Sequence, residues 1–222
     1  MRRIALVAAV AMPALAYGQA ACAAGGHYAV DDAEILGPER CHIDVWYAYG
    51  DQRNDDFTLQ PACNPWTNLE LGFGVSRLQR DGTRDTIVEL AAKRVFRQLE
   101  QGRYGWGMAV TTAHGGALDR IEAATAYLPV SVKLAEALQM NYNLGWAYER
   151  QESGNMLWGV GGDASLTPRY NLIAEAYGAR GGETELQAGL RYNLPAWTVD
   201  VSYGRAWDGA DDWVVLGVNW QR

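Results

Sequence analysis

Apolar and polar residues alternate along most of the chain after residue 40. In the segment 138–148, "LQMNYNLGWAY", every second residue is large and apolar, and the residues between are polar or small. Successive side chains of a β-strand point to opposite faces, so this segment predicts a strand with one apolar and one polar face. The apolar positions are Leu138, Met140, Tyr142, Leu144, Trp146 and Tyr148, and the others are Gln139, Asn141, Asn143, Gly145 and Ala147.

The same alternation recurs between turn-forming residues, which predicts an all-β meander. Ten strands are an alternative to twelve, because the second segment and the region 95–104 follow the alternation less closely. The sequence "VFRQLEQG" at 95–102 also fits a short helix. The twelve predicted strands are 41–49, 57–63, 68–78, 86–96, 104–113, 121–133, 138–149, 156–166, 170–178, 184–194, 197–204 and 213–221.

The predicted connections are of two alternating kinds. One kind is tight and often contains proline, at 64–67, 167–169 and 195. The other is polar and rich in glycine, at 50–56, 79–85, 114–120, 150–155, 179–183 and 205–212. A meander places alternate connections at opposite ends, so the polar kind is predicted at one end, like the longer external loops of an outer-membrane barrel. The connection at 97–103 is too long for a tight turn.

The alternation leaves open whether the apolar face covers a protein core or meets lipid. A soluble lipocalin-like binding protein or β-sandwich would carry many charges on its polar face, but here that face is mixed and rich in glycine. Glycine weakens an exposed strand, whereas inside a narrow barrel it leaves room for neighbouring side chains or water. We therefore favour a closed antiparallel up-and-down transmembrane β-barrel and keep the soluble protein as an alternative. The glycines concerned are Gly72, Gly74, Gly107, Gly145, Gly189 and Gly217.

Aromatic residues near the predicted strand ends agree with the membrane interpretation. Trp and Tyr concentrate at the two membrane interfaces, and tilted strands of about 9 to 11 residues span the bilayer. Trp146 and Tyr148 are expected at the outer interface. The residues expected in the two aromatic belts are Tyr47, Tyr49, Trp106, Trp146, Tyr148, Tyr170, Tyr192, Trp197, Tyr203 and Trp220.

The first residues predict export. Arg2 and Arg3 precede a short apolar run at 4–16 and then small residues, which is the pattern of a cleaved signal peptide. Cleavage after Gly18, Ala20 or Ala23 would fit, and we take 1–23 as the signal peptide, 24–39 as an N-terminal periplasmic segment and 40–222 as the barrel. Lipidation of Cys22 is a weaker alternative, because the residues before it lack the usual aliphatic side chain. These features predict the outer membrane of a Gram-negative bacterium.

Two cysteines remain after cleavage at Ala23. Cys41 and Cys63 fall opposite each other if the first hairpin turns near residue 52, so an exported protein would join them in a disulfide. Two buried free thiols are the alternative.

The polar face carries most of the candidate functional residues. If this face lines a lumen, the lumen carries eight acidic and two basic side chains, so a pore would favour cations. Alternatively, Lys93 and Arg191 pair with carboxylates and fill a closed lumen, and the segment 24–39 either plugs the periplasmic mouth or is disordered, with Asp31 and Asp32 solvated. The predicted lumen residues are Asp44, Glu70, Glu89, Lys93, Gln139, Asn141, Asn143, Glu149, Asp163, Glu175, Glu185, Gln187, Arg191 and Asp200.

The sequence predicts neither an enzyme nor a cofactor or metal site. The three histidines, His27, His42 and His114, lack zinc-ligand spacing, and there is no Gly-x-Ser-x-Gly element. His114 is expected in an external loop and His42 near the periplasmic end, each as an isolated residue. A net charge of −7 without a basic stripe argues against nucleic acid. The expected partners are the lipid bilayer and small solutes, and the sequence does not indicate an oligomeric state.

The segment 27–50 has an Asp-Asp pair, a Gly-Pro turn and a first strand with a carboxylate, and in these features it resembles the start of outer-membrane transporters grouped as a phenol-degradation-pathway family. The matching residues are Asp31, Asp32, Gly37, Pro38 and Asp44. The order is Gly-Pro here, and Asp44 stands where Glu is commoner. The resemblance implies a barrel for small molecules. A structural or adhesive barrel with a filled lumen is the alternative function.

The assignment of faces predicts opposite responses to charge at neighbouring positions. Tyr142→Arg should cost about 2 to 4 kcal/mol of unfolding free energy, because it places a charge in the middle of the membrane. Asn141→Arg should cost far less, because residue 141 faces the lumen. Urea unfolding of the refolded protein in lipid vesicles measures both, and equal costs would contradict the assignment.

Overall fold

The computed structural model describes residues 26–50, 55–80, 83–99, 103–115, 120–150, 154–209 and 211–222. The predicted signal peptide, 1–23, lies outside these residues. Twelve strands form in the described residues, which excludes the ten-strand alternative. They are β1 (Arg40–Gly50), β2 (Asp55–Asn64), β3 (Leu69–Arg80), β4 (Thr83–Arg97), β5 (Tyr104–Gly115), β6 (Ile121–Ala135), β7 (Leu138–Glu149), β8 (Asn155–Thr167), β9 (Tyr170–Ala179), β10 (Thr184–Asn193), β11 (Trp197–Ala206) and β12 (Asp212–Gln221).

The strands form one closed barrel in which each strand is antiparallel to its neighbours in sequence. Closure comes from β1 and β12, whose register runs from His42 opposite Gln221 to Gly50 opposite Trp213. The predicted fold is therefore confirmed. No helix in the described residues is long and apolar enough to cross a membrane.

The helix considered for 95–102 is wrong for its first part. Val95–Arg97 continues β4, with a register shift against β5 between Val95 and Arg97. The irregular pairing at this shift ends the hairpin of β4 and β5 early, so that six residues separate the two strands.

The two sets of connections lie at opposite ends, as predicted, but they differ little in length. One end, which we call the terminal end, is where β2, β4, β6, β8 and β10 end and where residues 39 and 222 lie. The distal end is where β1, β3, β5, β7, β9 and β11 end. The predicted distal loops are too long because strands extend into them, so that His114 and Gly115 belong to β5.

The outward face of the barrel is apolar over its whole circumference. Leu59, Leu144, Leu172 and Leu216, on four different strands, are each more than 40% exposed. Aromatic side chains lie towards both ends of this band, with Tyr47, Tyr49, Trp146, Tyr148 and Tyr203 near the distal end and Tyr104, Trp106, Tyr170 and Trp197 near the terminal end. Buried residues, many of them polar, alternate with these exposed ones, so the barrel is polar inside and apolar outside.

Cys41 and Cys63 form a disulfide across β1 and β2. They are direct cross-strand neighbours in the register, as the sequence predicted. The bond ties the first hairpin at the terminal end, beside the strand that closes the barrel.

Candidate functional site in the barrel lumen

Residues 26–36, which we call the inner segment, lie inside the barrel and follow its wall around the circumference. Their neighbours on the wall come in strand order, so the segment forms a ring across the lumen rather than a straight thread. These neighbours are Asn64 on β2, Lys93 on β4, Ser131 on β6, Asn143 on β7, Gly161 on β8, Glu175 on β9, Arg191 on β10, Ser202 on β11, Gly217 on β12 and Asp44 on β1.

Side chains of the wall bind the main chain of the inner segment. The two carboxylate oxygens of Glu175 accept hydrogen bonds from the N–H groups of Ala29 and Val30, at 2.9 and 3.0 Å. The Asn143 amide accepts from the N–H of Asp31 and donates to its C=O, both at 2.8 Å. These contacts satisfy backbone groups that would otherwise be buried without partners.

Two further wall residues bind the main chain towards the terminal end. Ser131 Oγ accepts a hydrogen bond from the N–H of Ala33 at 2.8 Å, and Asn64 Nδ2 donates to the C=O of Leu36 at 2.6 Å. Asn64 and Ser131 are both fully buried. The inner segment is therefore anchored at both of its ends.

Lys93 provides the charged contact between the wall and the inner segment. Its Nζ lies 2.8 Å from Asp31 Oδ1 and 3.3 Å from Asp32 Oδ1. Asp32 is only 1% exposed, and Tyr127 OH donates to Asp31 Oδ2 at 3.2 Å. The alternative in which Asp31 and Asp32 are solvated is therefore wrong, because both carboxylates are held inside the barrel.

Glycines on the wall make room for the inner segment. A Cβ at Gly159 or Gly161 would lie 2.9 or 3.3 Å from Val30 side-chain atoms. A Cβ at Gly217 would lie 2.9 Å from His27 Nδ1, and one at Gly189 would overlap the Tyr28 hydroxyl. The inward-facing glycines on β8, β10 and β12 are thus explained by close packing against this segment.

Ion pairs lie along the wall beneath the inner segment. Arg191 Nε donates to Asp200 Oδ1 at 2.7 Å, and both residues are buried. His42 Nδ1 lies 2.9 Å from Asp44 Oδ2, and its Nε2 lies 3.5 Å from Glu70 Oε1. The expectation that His42 is isolated is wrong, since register brings these two acids to the same inner surface.

All fourteen predicted lumen residues lie on the inward side of their strands in the observed register. Asp44, Glu70, Lys93, Asn143, Glu175, Arg191 and Asp200 are brought together around or beneath the inner segment. Gln139, Asn141, Asp163 and Gln187 bond mainly to other wall residues. Glu89, Glu149 and Glu185 lie towards the distal end, with Glu149 exposed at the rim.

The apolar alternates of β7 lie on the outer side of the barrel. Tyr142, Leu144, Trp146 and Tyr148 are exposed on the outer surface, and Leu138 and Met140 are half-buried on the same face.

Asn141 is too tightly packed to serve as the inward counterpart of Tyr142→Arg. Asn141 is 3% exposed, and its Oδ1 accepts hydrogen bonds from Ser131 and Gln139 at 2.7 and 3.0 Å. An arginine there would break this packing, so a small cost at residue 141 is not expected. Thr125, which faces inward on β6 and is half-buried, is the better partner for Tyr142→Arg.

A cavity of about 380 Å³ opens between the inner segment and the distal end. His27 and aromatic side chains of the wall, Trp46, Tyr177 and Trp213, line it. Its carboxylates are Asp56, Glu183, Glu185, Asp211 and Asp212, and no Lys or Arg is among the described residues that line it.

The electrostatics of the cavity are set by its acids. Burial, with the charge of Arg191 second, lowers the pKa of His27 to about 4, so its imidazole is neutral at pH 7. The charge of Asp208 raises the pKa of Glu183, which reflects crowding of carboxylates at the distal rim. Low-dielectric walls focus the field of such a cluster of acidic side chains.

Sequence reasoning missed the partners of the inner segment and the inward aromatic residues of the cavity. Trp46 and Trp213 occupy inward alternates of β1 and β12, so the alternation itself was a signal for them. Val30 and Tyr28 carry no strand periodicity, and nothing in the sequence pairs them with distant glycines.

The chain matches the model of one protein family, described as "Uncharacterised conserved protein UCP029691", over residues 11–221. The chain belongs to this family. No curated protein matches it in sequence. The comparisons do not show the phenol-degradation-pathway family suggested by residues 27–50.

Solved porin structures share the barrel fold of this family member. The KdgM porin has a TM-score of 0.68 and 14% identity, covering 81% of this chain and 98% of that chain. The NanC porin has a TM-score of 0.66 and 10% identity, with 80% and 98% covered. KdgM in complex with disordered oligogalacturonate has a TM-score of 0.67 and 14% identity, with 81% and 98% covered. At such identities the likeness shows a porin-like fold alone.

Loss of the Lys93 ammonium should loosen the inner segment. Lys93→Met leaves two carboxylates inside the barrel without their cation, and breaking a buried pair costs roughly 3 to 5 kcal/mol. Hydrogen–deuterium exchange of the amides at 28–36, in protein refolded in detergent micelles, should become faster. Lys133→Met is the matched control, because Lys133 is exposed near the terminal end. Unchanged exchange in Lys93→Met would show that the pair does not anchor the segment.

Proposed function

We propose that the protein is a β-barrel of the Gram-negative outer membrane that passes small solutes, prefers cations, and is narrowed by its own inner segment. The observation that carries the proposal is the acidic cavity inside a barrel whose outer surface is apolar all round. Both features are needed, because the apolar outer surface supports the membrane location and the acidic cavity supports the passage of cations.

The outer surface supports the membrane part of the proposal. Soluble monomers rarely expose contiguous apolar patches beyond a few hundred Å². Here exposed Leu, Val and aromatic side chains occur on every strand, and the aromatic residues are concentrated towards the two ends as in an outer-membrane barrel. A soluble lipocalin-like binding protein would have the opposite arrangement, with its apolar residues inside.

The orientation follows from export. With residues 1–23 removed as a signal peptide and 24–39 entering from the periplasm, the terminal end would face the periplasm. The distal end, with its acidic cavity, would then face the outside. The contrast in composition between the two sets of connections agrees with this orientation.

The cavity supports a solute of positive charge. Five acidic residues, Asp56, Glu183, Glu185, Asp211 and Asp212, line it together with Trp46 and Trp213. Carboxylates attract cations, and aromatic faces add cation–π attraction when the cation is organic. An acidic sugar, such as the oligogalacturonate in one KdgM structure, would be repelled by the same groups.

A structural barrel with a filled lumen is the second candidate. The contacts between the inner segment and the wall favour it, because they occupy the middle of the lumen with satisfied polar groups. The two candidates differ in conductance. A filled structural barrel conducts no ions, whether its inner segment is anchored or loosened.

Loosening the inner segment should enlarge the pathway. In planar bilayers, we expect Lys93→Met to show a larger single-channel conductance than the unsubstituted protein, because the ring across the lumen is less tightly held. Arg94→Met, on the exposed outer face of β4 beside Lys93, should conduct as the unsubstituted protein does. Absence of channel events in all three proteins would refute the pore and support the filled barrel.

The acids of the cavity should set ion preference. In a potassium chloride gradient, the reversal potential should show cation preference, and Glu185→Gln with Asp56→Asn should move it towards zero. Glu136→Gln with Glu39→Gln removes the same charge at the terminal end and serves as control. A reversal potential that is the same in both double variants would contradict the role of the cavity.

A further inference from the structure

A groove of about 280 Å³ lies on the outer surface of the barrel near the distal end. It is formed by β1, β2, β3 and β4 and is lined by Tyr47, Asp55, Phe57, Arg77, Gln79 and Arg84. The lumen site uses none of these side chains, because all of them are on the outward positions of their strands.

The strand register arranges these residues in two rows across the barrel. In one row Tyr47 lies opposite Phe57, and Phe57 lies opposite Arg77. In the row nearer the distal end, Asp55 lies opposite Gln79, and Gln79 lies opposite Arg84. The groove therefore has an apolar, aromatic side towards the middle of the barrel and a polar side towards the rim.

The two arginines give the groove its charge. Arg77 and Arg84 are both exposed, and Arg84 Nε donates to Gln79 Oε1 at 3.2 Å, which holds it beside the groove. The single lining carboxylate, Asp55, accepts a hydrogen bond from the Tyr47 hydroxyl. A guanidinium group matches phosphate geometry with two parallel donors, so the two arginines make the groove suited to bind a phosphate.

The height of the groove points to a lipid rather than a soluble anion. It lies where the exposed apolar band, represented below it by Leu59 and Phe73, meets the polar distal connections. A lipid would place its acyl chains on that band and its phosphate beside the arginines. An arginine at this height is costly on a lipid-facing surface unless its charge is compensated or reaches the interface.

We propose that this groove binds the phosphorylated headgroup of an outer-leaflet lipid. The assignment rests on the proposed outer-membrane location, which places the distal end in the outer leaflet. Lipid binding in this groove is separate from solute passage, because the groove lies on the outer face of the barrel and the cavity on its inner face.

The test is native mass spectrometry of the full protein, refolded in detergent micelles and titrated with lipid A. We expect lipid A to bind at least tenfold more weakly to the double variant with Arg77→Gln and Arg84→Gln than to the unsubstituted protein. Arg150→Gln with Arg205→Gln is the matched control, because both residues lie near the distal end but outside the groove. Heat-modifiable migration on a gel verifies that each variant is folded, and the single variant Arg84→Gln serves if the double variant is not.

Three results separate the explanations. Equal affinity of lipid A for the groove variant and the unsubstituted protein overturns the proposal. Displacement of lipid A by millimolar inorganic phosphate would show an anion site without a lipid and would also overturn it. Retention of lipid A under phosphate, with loss only in the groove variant, supports it. A barrel that is recovered as a soluble periplasmic protein would instead refute the proposed function.

Discussion

Pairing of β1 with β12 is the constraint on which the rest of the structure depends. In a closed sheet no strand leaves a row of unpaired N–H and C=O groups, which is the only way for an all-β protein to meet hydrocarbon. Closure also fixes the faces of every strand. Once one residue of β12 is outward, the alternation assigns all others around the ring, and the polar alternates are enclosed in a common interior.

The enclosed interior then needs to be filled or hydrated. The inner segment fills part of this interior and supplies partners for polar side chains of the wall. Glycines on β8, β10 and β12 accommodate it, while Glu175, Asn143 and Ser131 bind its main chain. The wall therefore recognises this stretch mostly through backbone groups, with Asp31 and Asp32 as the main side-chain contacts.

The strands could be predicted from the sequence because their signal is local. Leu138, Met140 and Tyr142 mark a face within five residues, and each strand repeats the same rule. The inner segment could not be placed in this way, since Ala29 and Ala33 bond to residues 146 and 98 positions away. The acidic residues of the lumen wall follow from the alternation, but the partners of Lys93 and His42 do not, because Asp31 and Asp32 lie on a segment without strand periodicity and Glu70 is two strands away from His42. The predicted loops are too long because polar residues continue the strands beyond the apolar band, as Asp55, Asp56 and His114 do.

Whether the inner segment acts as a fixed filling or a movable constriction depends on opposing terms of similar size. Ordering the backbone of residues 26–36 costs on the order of 10 to 20 kcal/mol. Its main-chain hydrogen bonds contribute roughly 0.5 to 1.5 kcal/mol each, and burial of Val30 and Leu36 contributes about 1.5 to 3 kcal/mol each. Burial of Tyr28 and Ala33 and the ion pairs of Lys93 with Asp31 and Asp32 add to these favourable terms. Lys93 compensates two carboxylates that are held inside the barrel, and without its charge their burial would oppose the docking of the inner segment.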